Sequence, residues 1–395
     1  MYADTNCLGY TASLFFLSAS AYATETIAPE LTAACTFRVS CHRDQIPRLT
    51  DVRYSTVWQG TRKSWVEMAL PEDMACYGLY LCFGGVLTDW EIQKQNADGK
   101  WETIYTPEDA FYHHFVPLPG LTQLRVFSNP DKPKQPLAIS EIRLLGEGTL
   151  PGWVQVWHRM KGKADLMVIV AHPDDEYLFM GGTIPYYAGE LRKKVIVTYL
   201  VNTHSMRKSE LLDGLWHCGV QDYPEIGTLK GNYLLSLKKA YELWNEGQIK
   251  TRITRLIRQY KPDVLVTHDV KGEYGHAAHR VAADVSKKCL LLTRDHGYDT
   301  QSILEHGAWQ ISKLYLHLYP ENQIAMDWRR PLSAFSGRTA IELADEAFRM
   351  HISQQKGVYT MENVKKYDNS LFGLYHSDVG PDVLKDDFFE NLPLS

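Results

Sequence analysis

The chain has 395 residues, 45% hydrophobic and 23% charged, enough to bury two cores, which excludes disordered and low-complexity classes. Lys and Arg number 42 against 47 Asp and Glu, a formal charge of -5. With no long basic run to neutralise a phosphate backbone, nucleic acid is not expected as a partner.

The uncharged stretch from Leu8 to Ala23, with several Ser and Thr, falls short of the roughly 20 apolar residues a membrane span requires, so no transmembrane span is expected. It reads as a signal peptide covering residues 1–23. Leu14, Phe15, Phe16 and Leu17 form the apolar region, and Ala21-Tyr22-Ala23 supplies the small-x-small pattern of a cleavage site. The expected location is therefore secreted or cell-surface, although the segment carries Asp4 and no basic residue. Cys7, Cys35, Cys41, Cys76 and Cys82 precede residue 100, and only Cys218 and Cys289 follow it. In an oxidising compartment Cys35 with Cys41 and Cys76 with Cys82 are candidates for local pairing; the alternative is buried thiols.

From about Leu49 to Leu145 apolar residues alternate with polar ones in short runs separated by turns, as strands with one buried face require. Val66, Met68 and Leu70 form one run, Leu79, Leu81 and Phe83 another; Trp101 to Tyr105, Leu124 with Val126, and Ile139 to Leu144 follow. The pattern predicts an all-β sandwich over residues 30–147. A Gly- and Pro-punctuated segment, Gly146 to Trp157, then marks a domain boundary.

Beyond it, over residues 160–395, strands and helices alternate. Ala164 to Ala171, Lys194 to Val201 and Asp263 to Thr267 are continuous apolar runs of the kind covered on both faces. Ile249, Ile253, Leu256, Ile257 and Tyr260 fall at helical spacing; a helix from His279 to Leu290, a strand from Leu314 to Leu318, and a helix presenting Ile341, Ala344, Phe348 and Ile352 complete the series. This predicts a Rossmann-like parallel α/β sheet with helices on both faces.

In such a sheet reactive groups collect just past the carboxyl ends of strands. Two loops there are crowded with metal-type ligands: Ala171-His172-Pro173-Asp174-Asp175-Glu176, and Gly272-Glu273-Tyr274-Gly275-His276-Ala277-Ala278-His279. Neither alone holds three ligands. His172 and Asp175, three apart across a turn, would need a His from the second loop to close a two-His, one-carboxylate set of the catalytic zinc type, and Asp174 is then the neighbouring carboxylate able to take a proton from water. No Gly-rich phosphate loop follows any of these strands. Gly181-Gly182 more simply permits close helix packing.

Residues 171–176 resemble the AHPDDE signature of the PIG-L or LmbE-like family of zinc-dependent N-acetylglucosamine de-N-acetylases. The resemblance extends over roughly residues 162 to 392, through Arg207 with Glu210, Thr267-His268-Asp269, the segment Tyr274 to His279, His351-Ser353-Gln354 and Asp386 to Glu390. It implies hydrolysis of the acetamide of an N-acetylglucosamine-containing glycan or glycoconjugate, with zinc (Fe2+ or Co2+ suit the same donors) on His172, Asp175 and His279. It further implies Asp174 as general base, His276 and Tyr274 facing the oxyanion, and Arg207 and Asp269 contacting substrate. One departure is Ala278, where many relatives carry an acidic residue that orients His276; Asp269 or Glu273 are the candidate substitutes. The N-terminal half resembles the discoidin or coagulation-factor type C module, a galactose-binding-like jelly roll, which implies a glycan bound through loop aromatics such as Trp58, Tyr112, His113 and His114, unless these pack internally. The competing class is a carbohydrate-binding protein whose deacetylase-like domain is inactive.

Overall fold

The computed structural model describes residues 26–85, 89–128, 136–355, 361 and 366–393; the expected leader, residues 1–23, and Cys7 lie outside them. Nine strands build the N-terminal half: β1 (Thr36–Val39), β2 (Trp58–Gln59), β3 (Trp65–Ala69), β4 (Cys76–Phe83), β5 (Trp90–Gln95), β6 (Trp101–Tyr105), β7 (His113–Leu121), β8 (Gln123–Ser128) and β9 (Ala138–Leu145). They form two antiparallel sheets, β1-β3-β8-β5-β6 and β2-β9-β4-β7. Inward residues of both sheets, among them Val66, Met68, Leu79, Leu81, Phe83, Trp90, Val126 and Leu144, make one core, as the alternation requires.

The second half follows: β10 (Leu166–Val170), α1 (Asp175–Leu178), β11 (Val195–Tyr199), β12 (Val201–Asn202), α2 (Ser205–His217), β13 (Leu229–Lys230), α3 (Leu237–Leu243), α4 (Glu246–Tyr260), β14 (Val264–Thr267), α5 (Ala277–Leu292), α6 (Thr300–His306), β15 (Lys313–His317), β16 (Gln323–Ala325), α7 (Ala340–Met350) and β17 (Leu371–Ser377). The main sheet runs β11-β10-β14-β15-β17-β16. Its apolar runs are buried on both faces: Leu166, Val168 and Val170 pack with α2 and α7 residues Leu211, Leu215, Leu343 and Phe348, whereas Met167 and Ile169 pack with Ile253, Ile257 and Val281 of α4 and α5. Alternate side chains of one strand thus feed two cores.

Three expectations are corrected. The sheet is mixed, because β17 is antiparallel to both β15 and β16, an edge arrangement that needs no crossover helix. Ile352 lies beyond the end of α7 and is 72% exposed, so it is not part of that helix's buried face. The six described cysteines are free thiols; Cys76 and Cys82 lie on one strand, β4, and are buried among apolar side chains. Among the described residues no helix is long and apolar enough to cross a membrane.

The two halves are packed together. Strand β4 is buried at almost every position because its outer side chains, Tyr80 and Cys82, form a small cluster with Leu145 and Val154 of the connecting segment. Phe111 and Tyr112 enter the α/β core: Phe111 stacks on Tyr223 at 4.2 Å, the Tyr112 N–H donates to the Tyr223 hydroxyl (3.1 Å), and Lys208 Nζ donates to the Tyr112 hydroxyl (3.0 Å). Trp58, Tyr112, His113 and His114 are all buried, so these aromatics pack internally and are not glycan contacts. Asp213 of α2 receives the Tyr54 hydroxyl (3.1 Å) and the Gln155 amide. Burial pushes its carboxyl up to about 7, against the lowering effect of those two bonds.

That shift has a definite sign. Between the ordinary aspartate pKa and about 7 the folded chain holds a proton on Asp213 that the unfolded chain releases, so raising the pH through this window costs stability. Asp213→Asn is expected to lose less melting temperature than wild type between about pH 5 and about pH 8. Identical slopes in differential scanning calorimetry would contradict the assignment.

Candidate metal centre

The first loop leaves β10 at Ala171 and turns into α1. Asp174 closes the turn with φ 112°, a left-handed conformation that a non-glycine residue adopts only under constraint. Two contacts hold it there: its N–H donates to Glu176 Oε2 (2.7 Å), and its Oδ2 meets Arg207 Nη2 at 3.0 Å. Arg207 also donates to the Pro173 carbonyl, so its guanidinium serves this loop. Its expected neighbour Glu210 instead accepts from the Ser353 N–H (2.8 Å) and hydroxyl.

The second loop follows β14. Gly272 (φ 67°) has to be glycine, since a Cβ would lie 2.5 Å from the His276 carbonyl oxygen. Tyr274 also has positive φ, 47°. Asp269 is half-buried, and its Oδ1 accepts from the Lys271 N–H (3.0 Å), closing the local turn.

At the centre is Glu273, fully buried. Its Oε2 faces Nδ1 of His268 (2.8 Å) and of His279 (2.7 Å); its Oε1 faces Nδ1 of His317 (2.6 Å) and accepts the Asp269 N–H (3.2 Å). Burial raises this carboxyl, but His268 and the hydrogen bonds from all three imidazoles outweigh it and hold Glu273 well below the usual range. Each bond assigns a tautomer. The Ala171 N–H donates to His268 Nε2 (3.0 Å), so the His268 proton is on Nδ1 and no lone pair remains for a metal. His317 faces acceptors at both nitrogens, Glu273 and the Asp368 carbonyl (3.0 Å). His279 turns Nδ1–H to Glu273 and presents Nε2 to the first loop.

There Asp175 Oδ2 stands 3.1 Å from His172 Nδ1 and 3.4 Å from His279 Nε2. Ligand atoms around a tetrahedral metal with bonds of about 2.0–2.1 Å are roughly 3.3 Å apart, so this donor set fits a divalent ion such as zinc. Burial raises the Asp175 carboxyl, yet His279 and His172 outweigh it and keep the group well below the usual range, hence ionised. Two groups of side chains cluster closely enough to share an ion, His172 with His276 and His279, and Asp175 with His268 and His279. With both His268 nitrogens engaged, the donors left are His172, Asp175, His279 and His276.

The structure therefore brings together His172, Asp174, Asp175, Arg207, Tyr274, His276 and His279. Tyr274 Oη is 3.4 Å from His279 Nε2, and the His276 ring lies 4.8 Å from that of His172. His276 Nδ1 is buried with no hydrogen-bond partner among the described residues. Neither Asp269 nor Glu273 takes the role left open by Ala278: the first serves its own turn, and the second is spent on His268, His279 and His317. Burial, then His172 and His279, push the His276 pKa down to about 3, so the ring is neutral. For Asp174 burial outweighs Arg207, lifting the carboxyl to about 6. His317 was absent from the sequence reading; nothing near it in the chain marks it, and only the β14–β15 pairing brings it to Glu273.

Residues 167–290 match the family model described as PIG-L, GlcNAc-PI de-N-acetylase. A curated relative, 1D-myo-inositol 2-acetamido-2-deoxy-alpha-D-glucopyranoside deacetylase 1 of Catenulispora acidiphila, is 26% identical over 189 residues, 40% of this chain and 57% of its own. The corresponding deacetylase of Mycobacteroides abscessus is 29% identical over 178 residues, 38% of this chain and 58% of its own; the chain thus spans less than two thirds of either. Among solved structures, N,N'-diacetylchitobiose deacetylase from Pyrococcus horikoshii is similar with TM-score 0.38 and 18% identity, over 48% of this chain and 71% of that one. The N-terminal half is similar to the family 32 CBM from C. perfringens NanJ in complex with galactose, TM-score 0.25 and 12% identity, over 30% and 98%.

Losing the Glu273 charge would leave three imidazole N–H groups underserved. Glu273→Gln is expected to weaken zinc binding about 10–100-fold, the usual effect of removing an outer-shell partner, measured by chelator competition on the metal-free protein. Unchanged affinity in a folded variant would refute the orienting role.

Proposed function

We propose that the protein is a metal-dependent de-N-acetylase that hydrolyses the acetamide of an N-acetylglucosamine unit in a glycan or glycoconjugate. The observation that carries the reading is the convergence of His172 Nδ1, Asp175 Oδ2 and His279 Nε2 at metal-ligand spacing beside a second carboxylate, Asp174, held by Arg207. The family match and the deacetylase names of the relatives support it.

His172, Asp175 and His279 would hold the ion, zinc by donor type, with Fe2+ or Co2+ suited to the same set. When bound, such an ion supplies Lewis acidity toward the acetamide carbonyl and acidifies a coordinated water. The protein's own groups do the rest. Amide hydrolysis needs one proton taken from water and one delivered to the departing nitrogen, and a carboxyl with pKa about 6 can do both near neutral pH. Arg207 and the Glu176 contact fix Asp174 in its strained position, so that it faces the reacting atoms instead of ligating. Neutral His276 and the Tyr274 hydroxyl, both beside His279, would donate to the oxygen that gains charge as the carbonyl is attacked. Ala278 leaves His276 without a carboxylate partner, which keeps the ring neutral and a hydrogen-bond donor. Asp269, whose Oδ1 closes its own turn, takes no part in this chemistry.

The test is acetate release from a panel of N-acetylglucosamine conjugates. Wild type loaded with zinc is expected to release acetate and metal-free protein not to; Asp174→Ala is expected to lower the rate about 10²–10⁴-fold with metal stoichiometry retained. Undiminished release in Asp174→Ala would exclude it as the base, and no release from any conjugate by the zinc-loaded enzyme would overturn the reading.

A further inference from the structure

A cavity of about 1030 Å³ lies between the two domains. Tyr54 and Arg143 line it from the sandwich, Gly152 and Trp153 from the connecting segment, and Glu210 and Asp213 from α2. It is separate from the donor cluster, none of whose residues lines it.

Its walls combine three kinds of group. The first is a flat apolar surface. Trp153 is 39% exposed although one of its faces lies under the Arg143 guanidinium, 4.9 Å from the ring centre, and its edge meets Tyr80. The second is a pair of oriented carboxyls. Asp213 accepts Tyr54 and Gln155 both on Oδ1, so Oδ2 takes neither bond, and Glu210 is fixed by Ser353. The third is guanidinium donors, two of them paired: Arg143 with Glu141 at 3.4 Å and Arg338 with Glu346 at 2.6 Å.

These groups select a class of ligand. A purely apolar molecule would leave Asp213 Oδ2 unserved at a cost. A phosphate or other anion would meet the carboxyl groups of Glu210 and Asp213, with the Arg143 and Arg338 charges already paired. A ring that is apolar on its faces and rimmed with hydroxyls satisfies both the aromatic plane and the acceptors, and the volume is that of a ligand pocket, which commonly runs about 300–1,000 Å³. The cavity also adjoins the reacting loop. Glu210 is one turn of α2, about 4.5 Å along the axis, from Arg207, whose Nη2 holds Asp174.

We propose that this interdomain cavity is a saccharide-binding site, built jointly by the sandwich and the α/β domain, and that it holds a sugar unit of the same glycan whose acetamide is cleaved at the histidine cluster. The second half of that statement rests on the deacetylase reading; the first does not. The sandwich then acts as a fixed wall of the substrate site, consistent with its aromatic side chains being sunk into the neighbouring core.

The test uses the full chain carrying Asp174→Ala, so that no probe is consumed, titrated calorimetrically with the β-1,4-linked tetramer of N-acetylglucosamine. Gly152→Phe would fill the cavity, since a Cβ at Gly152 meets nothing within 4 Å; Trp153→Ala would remove the aromatic plane. The tetramer is expected to bind, and each variant to weaken it about ten-fold or more, as loss of a central aromatic contact does, with melting temperature retained. If Gly152→Phe fails to fold, Trp153→Ala decides alone. Unchanged affinity in a folded variant, or no binding of the tetramer at millimolar concentration, would overturn the proposal. Tetramer binding that responds to the variants, from a protein whose zinc-loaded wild type releases no acetate, would keep the cavity site and discard the deacetylase; acetate release with binding indifferent to the variants would do the reverse.

Discussion

One buried carboxylate, Glu273, holds the site together. Through His268, whose Nε2 receives the Ala171 N–H, it ties the end of β10 to the end of β14; through His317 it reaches β15, and through His279 the start of α5. Removing a carboxylate from water costs several kcal/mol, and such arrangements seldom repay that as stability. What this one provides is direction. Three imidazoles have their Nδ1 protons pinned to one anion, so the lone pair of His279 points away from the hub and toward Asp175. His279, its Nδ1 proton held by Glu273, keeps Nε2 as the lone pair a metal requires.

The first loop complements this. Asp174 and Asp175 are adjacent in the chain, yet their environments push them in opposite directions: imidazoles hold Asp175 ionised, while burial lifts Asp174 despite Arg207. Neighbouring groups with divergent acidities are what acid–base chemistry on a metal-assisted water requires. The separation depends on backbone strain, because the left-handed turn at Asp174 faces the two carboxylates apart. Gly181 and Gly182, just beyond, let the chain press against Trp328 and Ala340, so the loop is backed by close packing.

Much of this was legible in the sequence, for a local reason. The run Ala164 to Ala171 ending in His-Pro-Asp-Asp-Glu states both a buried strand and the ligands at its end, and the helices of residues 246–260 and 277–292 announce themselves by spacing. What escaped depends on distant contacts. Glu273 was marked only as a candidate partner for His276: its bonds to His268 and His279 are local but depend on how the loop folds, and its bond to His317 exists only once β14 and β15 are paired. Tyr112, His113 and His114 looked like loop aromatics, but Tyr112 enters the α/β core, His113 packs on Tyr54 and Tyr80, and His114 packs on Phe83 and Trp90. Strand β4 does not alternate in burial because Ala28, Leu145 and, from the connecting segment, Val154 supply a second apolar face, and no periodicity encodes that.

The most direct test of the central claim is the anomalous difference map, at the zinc absorption edge, of crystals grown with zinc. The account requires a single strong peak bound by His172, Asp175 and His279, with His268 still bonded to the Ala171 N–H and Glu273 outside the coordination sphere. A peak ligated by His268, or no peak between the two loops, would contradict it.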